Sequence, residues 1–321
     1  VSSAWPITCA APPNKRNHCE RSIDMTLYRR AGVWAPSRTR SWPQGEAEIS
    51  GRDDRRLVRD TTEAPFRYIC HIDFLHPRLG FLGRGTGTLI GRRTVLTAAH
   101  LLFFESGQLL PAGFVHITPA RNGDAQPFGS SMARKLIPSP GFVRAVAAQQ
   151  SIQMAEQDYA VIHLKTALGN TVGYWGQQPR PSFDPRGTSI SDGSFPTRSA
   201  IIAVNLSGYP GDKPADPALR CRTPGAPRDS CSINTSATNP PDRRCGTFQW
   251  RSFDRGIRVE PRALAYLNDT CKGHSGAPVW IKRSRWMGGR VLVGIHSGAE
   301  DLNVAVRITR EVAAFIAANR V

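Results

Sequence analysis

Three short segments of this chain carry side chains that can act together on an acyl group. The run Gly87-Thr-Leu-Ile-Gly91-Arg-Arg-Thr-Val-Leu-Thr97-Ala98-Ala99-His100 reads as strand, glycine turn, strand, and then a histidine where the strand ends. An imidazole there can face a cleft, and an ordinary pKa of about 6.5 lets it take and return a proton near neutral pH. Gln157-Asp158-Tyr-Ala-Val-Ile-His-Leu164 sets an acid just before an apolar strand. Such an acid can be a turn residue, or it can accept the proton-bearing nitrogen of an imidazole and fix its tautomer. Asp269-Thr270-Cys271-Lys272-Gly273-His274-Ser275-Gly276-Ala277-Pro278-Val279 holds a serine between glycines. Glycines let a backbone turn tightly and bring amide N–H groups close to a reacting carbonyl. A serine hydroxyl becomes a useful nucleophile only with a base beside it. Singly, each segment has a bland alternative. In the order His, Asp, Ser they point to a catalytic triad of His100, Asp158 and Ser275.

The elements that must position these residues are strands. From Phe66 onward, apolar runs of four to eight residues alternate with Gly, Pro and Asn turns. Tyr68–Phe74, Gly87–Ile90, Thr94–Ala98, Phe114–Thr118, Tyr159–Leu164, Ala200–Leu206, Ala277–Lys282 and Val291–Ile295 all read as strands. The pattern predicts an all-β sandwich or barrel. One helix is predicted, at the end of the chain, with Thr309 as N-cap and Val312, Ala313, Phe315 and Ile316 at helical spacing. Residues 213–250 are crowded with Pro, Arg and three cysteines and read as a long surface loop tied by a disulfide. Residues 1–48 lack sustained periodicity and read as an irregular leader, leaving 49–321 as the folded domain.

Composition narrows the classes. The 321 residues are 40% hydrophobic and 21% charged, ordinary for a soluble globular protein. No run approaches the ~20 apolar residues of a membrane span. The net charge of +17 comes from scattered residues with no basic–aromatic ladder, so nucleic acid is not an expected partner. The seven cysteines form no Cys-x-x-Cys pair, which argues against a structural metal site. They fit a few disulfides of an oxidising compartment, secreted or periplasmic, with at least one thiol left over.

Further strings extend the case beyond the triad: Asp53-Asp54-Arg55, Asp60-Thr61-Thr62, Arg121-Asn122-Gly123, Gly169-Asn170-Thr171-Val172-Gly173-Tyr174, Ser207-Gly208-Tyr209-Pro210-Gly211-Asp212-Lys213 and Arg307-Ile308-Thr309. On these residues the chain resembles the glutamyl endopeptidases, bacterial secreted relatives of chymotrypsin, from about Ile49 to its end. The resemblance implies two six-stranded antiparallel β-barrels of the chymotrypsin-like type, a C-terminal α-helix and secretion as a proenzyme. It implies a monomer that acts on polypeptides without a cofactor or metal. His100 would be the general base, Asp158 its orienter and Ser275 the nucleophile, with the amides of Gly273 and Ser275 as oxyanion hole.

The same resemblance assigns recognition of a substrate glutamate to His296, in Gly294-Ile295-His296-Ser297-Gly298, with Ser297 beside it, and to Thr270. Lys272 would add positive charge at the pocket mouth. Asp269 supports a competing expectation, because trypsin-like enzymes keep an acid there to bind Arg or Lys. His274 departs from the family, for it cannot form the carboxylate–ammonium pair that activates trypsin-type zymogens. No cysteine follows Cys271, so the bridge that many relatives close across the pocket is expected to be absent. Glu48 precedes the position of the family's mature N-terminus, which suggests self-cleavage after Glu48. Two other classes remain open. An α/β-hydrolase would need Gly-x-Ser-x-Gly and βαβ alternation, and Ala277 stands where the second glycine belongs. A catalytically inactive basic relative would keep the fold and the charge as a binding protein.

Overall fold

Several of the strands are apolar on both faces, because each lies between two cores. A computed structural model describes residues 49, 51–78, 80–104, 106–149, 156–176, 203–216, 218–227, 230–234, 242–255, 257–282, 289–299 and 302–321. The expected leader, residues 1–48, and with it Cys9 and Cys19 lie outside them.

In the first half, β2 (Ile69–His76), β3 (Gly80–Leu89), β4 (Thr94–Thr97), β5 (Val115–Pro119), β6 (Ser131–Pro138) and β7 (Ala160–Leu164) close into a six-stranded antiparallel barrel. Cys70, Ile72, Val95, Ile117, Ile162 and Leu164 fill its interior at alternate positions. The second half is an antiparallel sheet of β1 (Arg56–Leu57), β8 (Ala203–Gly208), β9 (Trp250–Arg255), β10 (Ile257–Val259), β11 (Ala263–Tyr266), β12 (Pro278–Lys282), β13 (Arg290–Ala299) and β14 (Asn303–Arg307). Its order is β1-β9-β8-β12-β13-β14-β11-β10. Because β9 and β10 are one residue apart, the chain through them pairs with β8 at one end and β11 at the other. Val204, Leu206, Val279, Ile281, Val291 and Val293 form the core of this half.

A third core joins the halves. Ile69, Leu96, Tyr159, Val161 and Trp175 from the first side meet Trp280, Leu292, Ile295 and Val306 from the second. The closing helix, Arg310–Asn319, adds Val312 and Ile316 to this seam, and the Phe315 ring meets Tyr159 at 5.1 Å. Thr309 Oγ1 accepts from the Val312 amide at 3.3 Å, the cap expected from the sequence.

The closing helix is not the only one. Chain order gives α1 (Pro140–Ala147), the single turn α2 (Gly169–Val172) and, at the end, α3 (Arg310–Asn319). Ser139 caps α1 by accepting from the Phe142 amide at 2.9 Å, and Pro140 takes the first helical position, where a missing N–H costs nothing. The same Ser139 hydroxyl donates to the carbonyl of Gln157 at 2.6 Å, so the cap also steadies the segment that carries Asp158.

The Cys- and Pro-rich stretch is stapled twice. Cys221 bonds Cys245 within it, and Cys231 bonds Cys271 in the serine loop. Cys271 therefore pairs backwards with a cysteine of the long loop, while Cys70 is a buried free thiol. No described helix is long and apolar enough to cross a membrane. The Cys221–Cys245 bridge spans 24 residues. Replacing both cysteines by alanine is expected to lower stability by about 3 kcal/mol in urea unfolding. A double variant as stable as its parent would mean that other contacts already order this loop.

Candidate active site

Strand β4 ends at Thr97, and the chain turns into a short 3-10 helix that opens with His100. The ring is buried at the seam, and its Nδ1 lies 2.7 Å from Asp158 Oδ2. A carboxylate oxygen can only accept, so Nδ1 carries the proton, and a neutral ring presents the Nε2 lone pair. The backbone amide of His100 donates to Asp158 Oδ1 at 2.8 Å, and Ser297 Oγ donates to Oδ2. Three donors, from the closed barrel and from the second sheet, thus fix one carboxylate.

The serine loop is held plane by plane. A trans peptide points its C=O and N–H in opposite directions, so anchoring one orients the other. Lys272 C=O accepts from Gly211 N–H at 2.8 Å, which turns the Gly273 N–H the other way. Gly273 C=O accepts from Thr86 Oγ1 at 2.7 Å, while His274 N–H donates to Cys271 C=O at 3.0 Å. His274 C=O accepts from Ala277 N–H at 2.8 Å, which orients the Ser275 N–H. Ser275 C=O accepts from Thr86 N–H at 2.9 Å, and Gly276 N–H donates to His296 C=O at 2.7 Å. Among the described residues, the amides of Gly273 and Ser275 donate to nothing.

Glycine is required at both bends. A Cβ at Gly273 (φ 101°) would stand 2.2 Å from Tyr209 O, and one at Gly276 (φ 82°) would stand 2.1 Å from Thr86 O. Gly276 also packs against Thr97 and Ala98, which sets Ser275 beside the strand that delivers His100.

The remaining sequence-predicted residues surround this loop. His296 is fully buried; Tyr266 Oη lies 2.7 Å from its Nδ1. Burial drives the Tyr266 phenol far above its usual range, so a neutral hydroxyl stands beside the ring. Burial, with His100 nearby, pushes His296 down to about 3. Thr270 is also buried, and its hydroxyl donates to Asn303 Oδ1. Lys272 is exposed at the loop. Asp269 is buried, and its Oδ2 accepts from the Asp54 amide at 2.8 Å, so the N-terminal segment engages this acid. His274 folds back on its own turn, with Nδ1 accepting from the Cys271 amide at 3.0 Å. Desolvation, reinforced by Arg55 and His296, holds it well below the normal imidazole range.

The chain is 31% identical to a glutamyl endopeptidase of Bacillus licheniformis over 278 residues, 84% of this chain and 68% of that protein. This chain belongs to the glutamyl endopeptidase family. It is accordingly a serine endopeptidase. A Bacillus subtilis protein named extracellular metalloprotease is 24% identical over 83% of this chain and 67% of its own length. Among the described residues no three His, Cys, Asp or Glu side chains gather as a metal ion would require. A solved structure of a Glu endopeptidase superposes with a TM-score of 0.56 at 22% identity, over 84% of this chain and 98% of the other. No protein-family model matches.

Sequence reasoning about this endopeptidase missed Thr86, Gly211 and Tyr266. Thr86 lies between Gly85 and Gly87, and that pair of glycines was the signal that backbone must approach closely there. Tyr266 gave no such signal, since an aromatic residue in an apolar strand usually means packing.

Two predictions follow from this geometry. Gly273→Ala must displace Tyr209 O or the loop, so its kcat should fall by at least about 10²-fold, the usual cost of losing an oxyanion donor. Peptide hydrolysis at parental rate by a folded Gly273→Ala protein would contradict the loop geometry. The second concerns acid. Unfolded His296 binds a proton near its ordinary pKa of 6.5, whereas folded His296 resists until about 3. The unfolded state therefore binds more protons between those values, and stability drops as pH falls through them, by up to about 1.4 kcal/mol per pH unit. Urea unfolding across this window should give a shallower slope for His296→Gln, and parallel slopes would count against the buried neutral ring.

Proposed function

We propose that this protein is a secreted endopeptidase that cleaves after Glu, and secondarily after Asp, by acyl transfer to Ser275. The observation that supports the reading is the pair of amides, Gly273 and Ser275, left open in a loop whose carbonyls from Lys272 to Ser275 are all held by donors. In the first half-reaction Ser275 Oγ attacks the scissile carbonyl, and its proton passes to Nε2 of His100. The carbonyl oxygen becomes an oxyanion between the two open amides, an arrangement typically worth about 2.7–4 kcal/mol per donor. His100 then protonates the leaving amine, and an ester to Ser275 remains. Water attacks that ester with His100 again as base, releasing the acid and restoring the serine. Asp158 orients the imidazole and stabilises its protonated form.

The preference for an acidic side chain draws on His296, a neutral imidazole that keeps one N–H, and on the exposed Lys272, with Thr270 lining the pocket while its own proton goes to Asn303. An N–H donor suits a carboxylate and does nothing for a guanidinium. The engagement of Asp269 by the Asp54 amide favours this reading over trypsin-like cleavage after Arg or Lys. Disulfides at Cys221–Cys245 and Cys231–Cys271 support an oxidising, extracellular setting. Residues 1–48 would be a leader that the enzyme removes by cutting after Glu48, leaving residues 49–321 as a monomeric protease.

Cleavage of a peptide library, run with a fluorophosphonate label, tests both levels. Glu before the scissile bond should exceed Arg by at least about tenfold in kcat/KM, with the label on Ser275. Arg preference would overturn the specificity, and a protein that neither cleaves nor labels would be an inactive homologue. N-terminal sequencing of matured protein should begin at Ile49, with Ser275→Ala left unprocessed. Unchanged maturation of Ser275→Ala would rule out self-cleavage.

A further inference from the structure

Thr86 belongs to the first barrel, yet its amide and its hydroxyl both bond the serine loop of the second half. Its amide donates to Ser275 C=O at 2.9 Å, and its hydroxyl donates to Gly273 C=O at 2.7 Å. The same hydroxyl accepts from Tyr209 N–H at 3.1 Å, and its carbonyl accepts from Thr97 Oγ1 at 2.7 Å. The residue is fully buried, so no water can stand in for any of these partners.

The peptide planes that Thr86 grips are 273–274 and 275–276. They flank the plane that carries the Ser275 N–H. A rotation of that middle plane needs compensating rotation in at least one neighbour, and Thr86 holds both. Through Tyr209 N–H, the hydroxyl also reaches the backbone whose carbonyl lies against Gly273, and Gly211, two residues on, orients the Gly273 N–H.

We propose that Thr86 is a positioning residue for the oxyanion hole, acting across the barrel seam through its hydroxyl. The inference rests on Ser275 as nucleophile and on the Gly273 and Ser275 amides as its oxyanion donors. Thr86 touches no reacting atom. It sets the direction of two N–H groups, and its loss should cost transition-state binding while leaving ground-state binding intact.

Thr86→Val keeps the shape and the backbone bonds but removes the hydroxyl, and Thr86→Ser keeps the hydroxyl. For Thr86→Val, kcat should drop about 10- to 100-fold with KM nearly constant, and affinity for a peptidyl aldehyde, which forms a tetrahedral adduct, should drop by the same factor. Thr86→Ser should stay within about threefold of the parent. If Thr86→Val does not fold, Thr86→Ala against Thr86→Ser makes the same comparison with the methyl already gone. Undiminished kcat without the hydroxyl would overturn the proposal. So would a Thr86→Ser protein as impaired as Thr86→Val, since the methyl would then be what matters. Ser275→Ala is run alongside: activity surviving in it sinks the underlying triad reading, whereas an inactive Ser275→Ala with a fully active Thr86→Val sinks this inference alone.

Discussion

An amide N–H can be kept open for a substrate only if the carbonyls on either side of it are anchored, because a peptide plane with neither end held is free to turn. The serine loop meets that constraint with bonds from three directions. The first barrel supplies Thr86, β13 supplies the carbonyl of His296, and the segment after β8 supplies Gly211. Gly211 is steadied in turn by its neighbours. Arg55 grips Asp212 through two nitrogens at 3.0 and 2.7 Å and holds Asp53 as well, with Lys213 reaching Asp53 at 2.7 Å. Burial opposes ionisation of Asp53, but Arg55 and Lys213 outweigh it and hold the carboxyl at about 2. A buried ion network of this kind adds little net stability, yet loss of one partner costs about 3–5 kcal/mol. Its effect is to fix where the N-terminal segment and the serine loop must lie.

The two halves meet along one apolar seam. His100 and Asp158 come from the first barrel, and Ser275 and Ser297 from the second. The apolar seam built on Tyr159, Trp175, Trp280 and Ile295 is what brings them together. Burial at that seam also shapes the chemistry of the pocket. It keeps the His296 ring uncharged.

The sequence carried the His100–Asp158 pairing, the closing helix and most of the first barrel, because strands between two cores read as unbroken apolar runs and Thr309 is an unambiguous cap. It did not reveal β1, β6, β9, β10, β11 or β14. Ser-Met-Ala-Arg-Lys-Leu-Ile-Pro in β6 mixes charge into a strand with one wet face, and Asn303–Arg307 begins and ends on polar residues around a three-residue apolar core. Helix α1 was hidden by its own start, since Ser139-Pro140-Gly141 has the composition of a turn. The bond between Cys231 and Cys271 was illegible, because spacing does not determine pairing. Thr86 was illegible for a related reason. Its partners lie 123 and 187 positions away, and no local pattern encodes them.

The central claim is that the oxyanion hole is already formed before substrate arrives. A crystal structure of the enzyme carrying a peptidyl aldehyde on Ser275, compared with one of the free enzyme, tests it most directly. The account predicts an adduct oxygen within about 2.7–3.1 Å of both the Gly273 and Ser275 nitrogens, with the peptide planes from Lys272 to Gly276 unmoved. An oxygen bound elsewhere, or a plane in this loop that flips on going from free to bound, would contradict it.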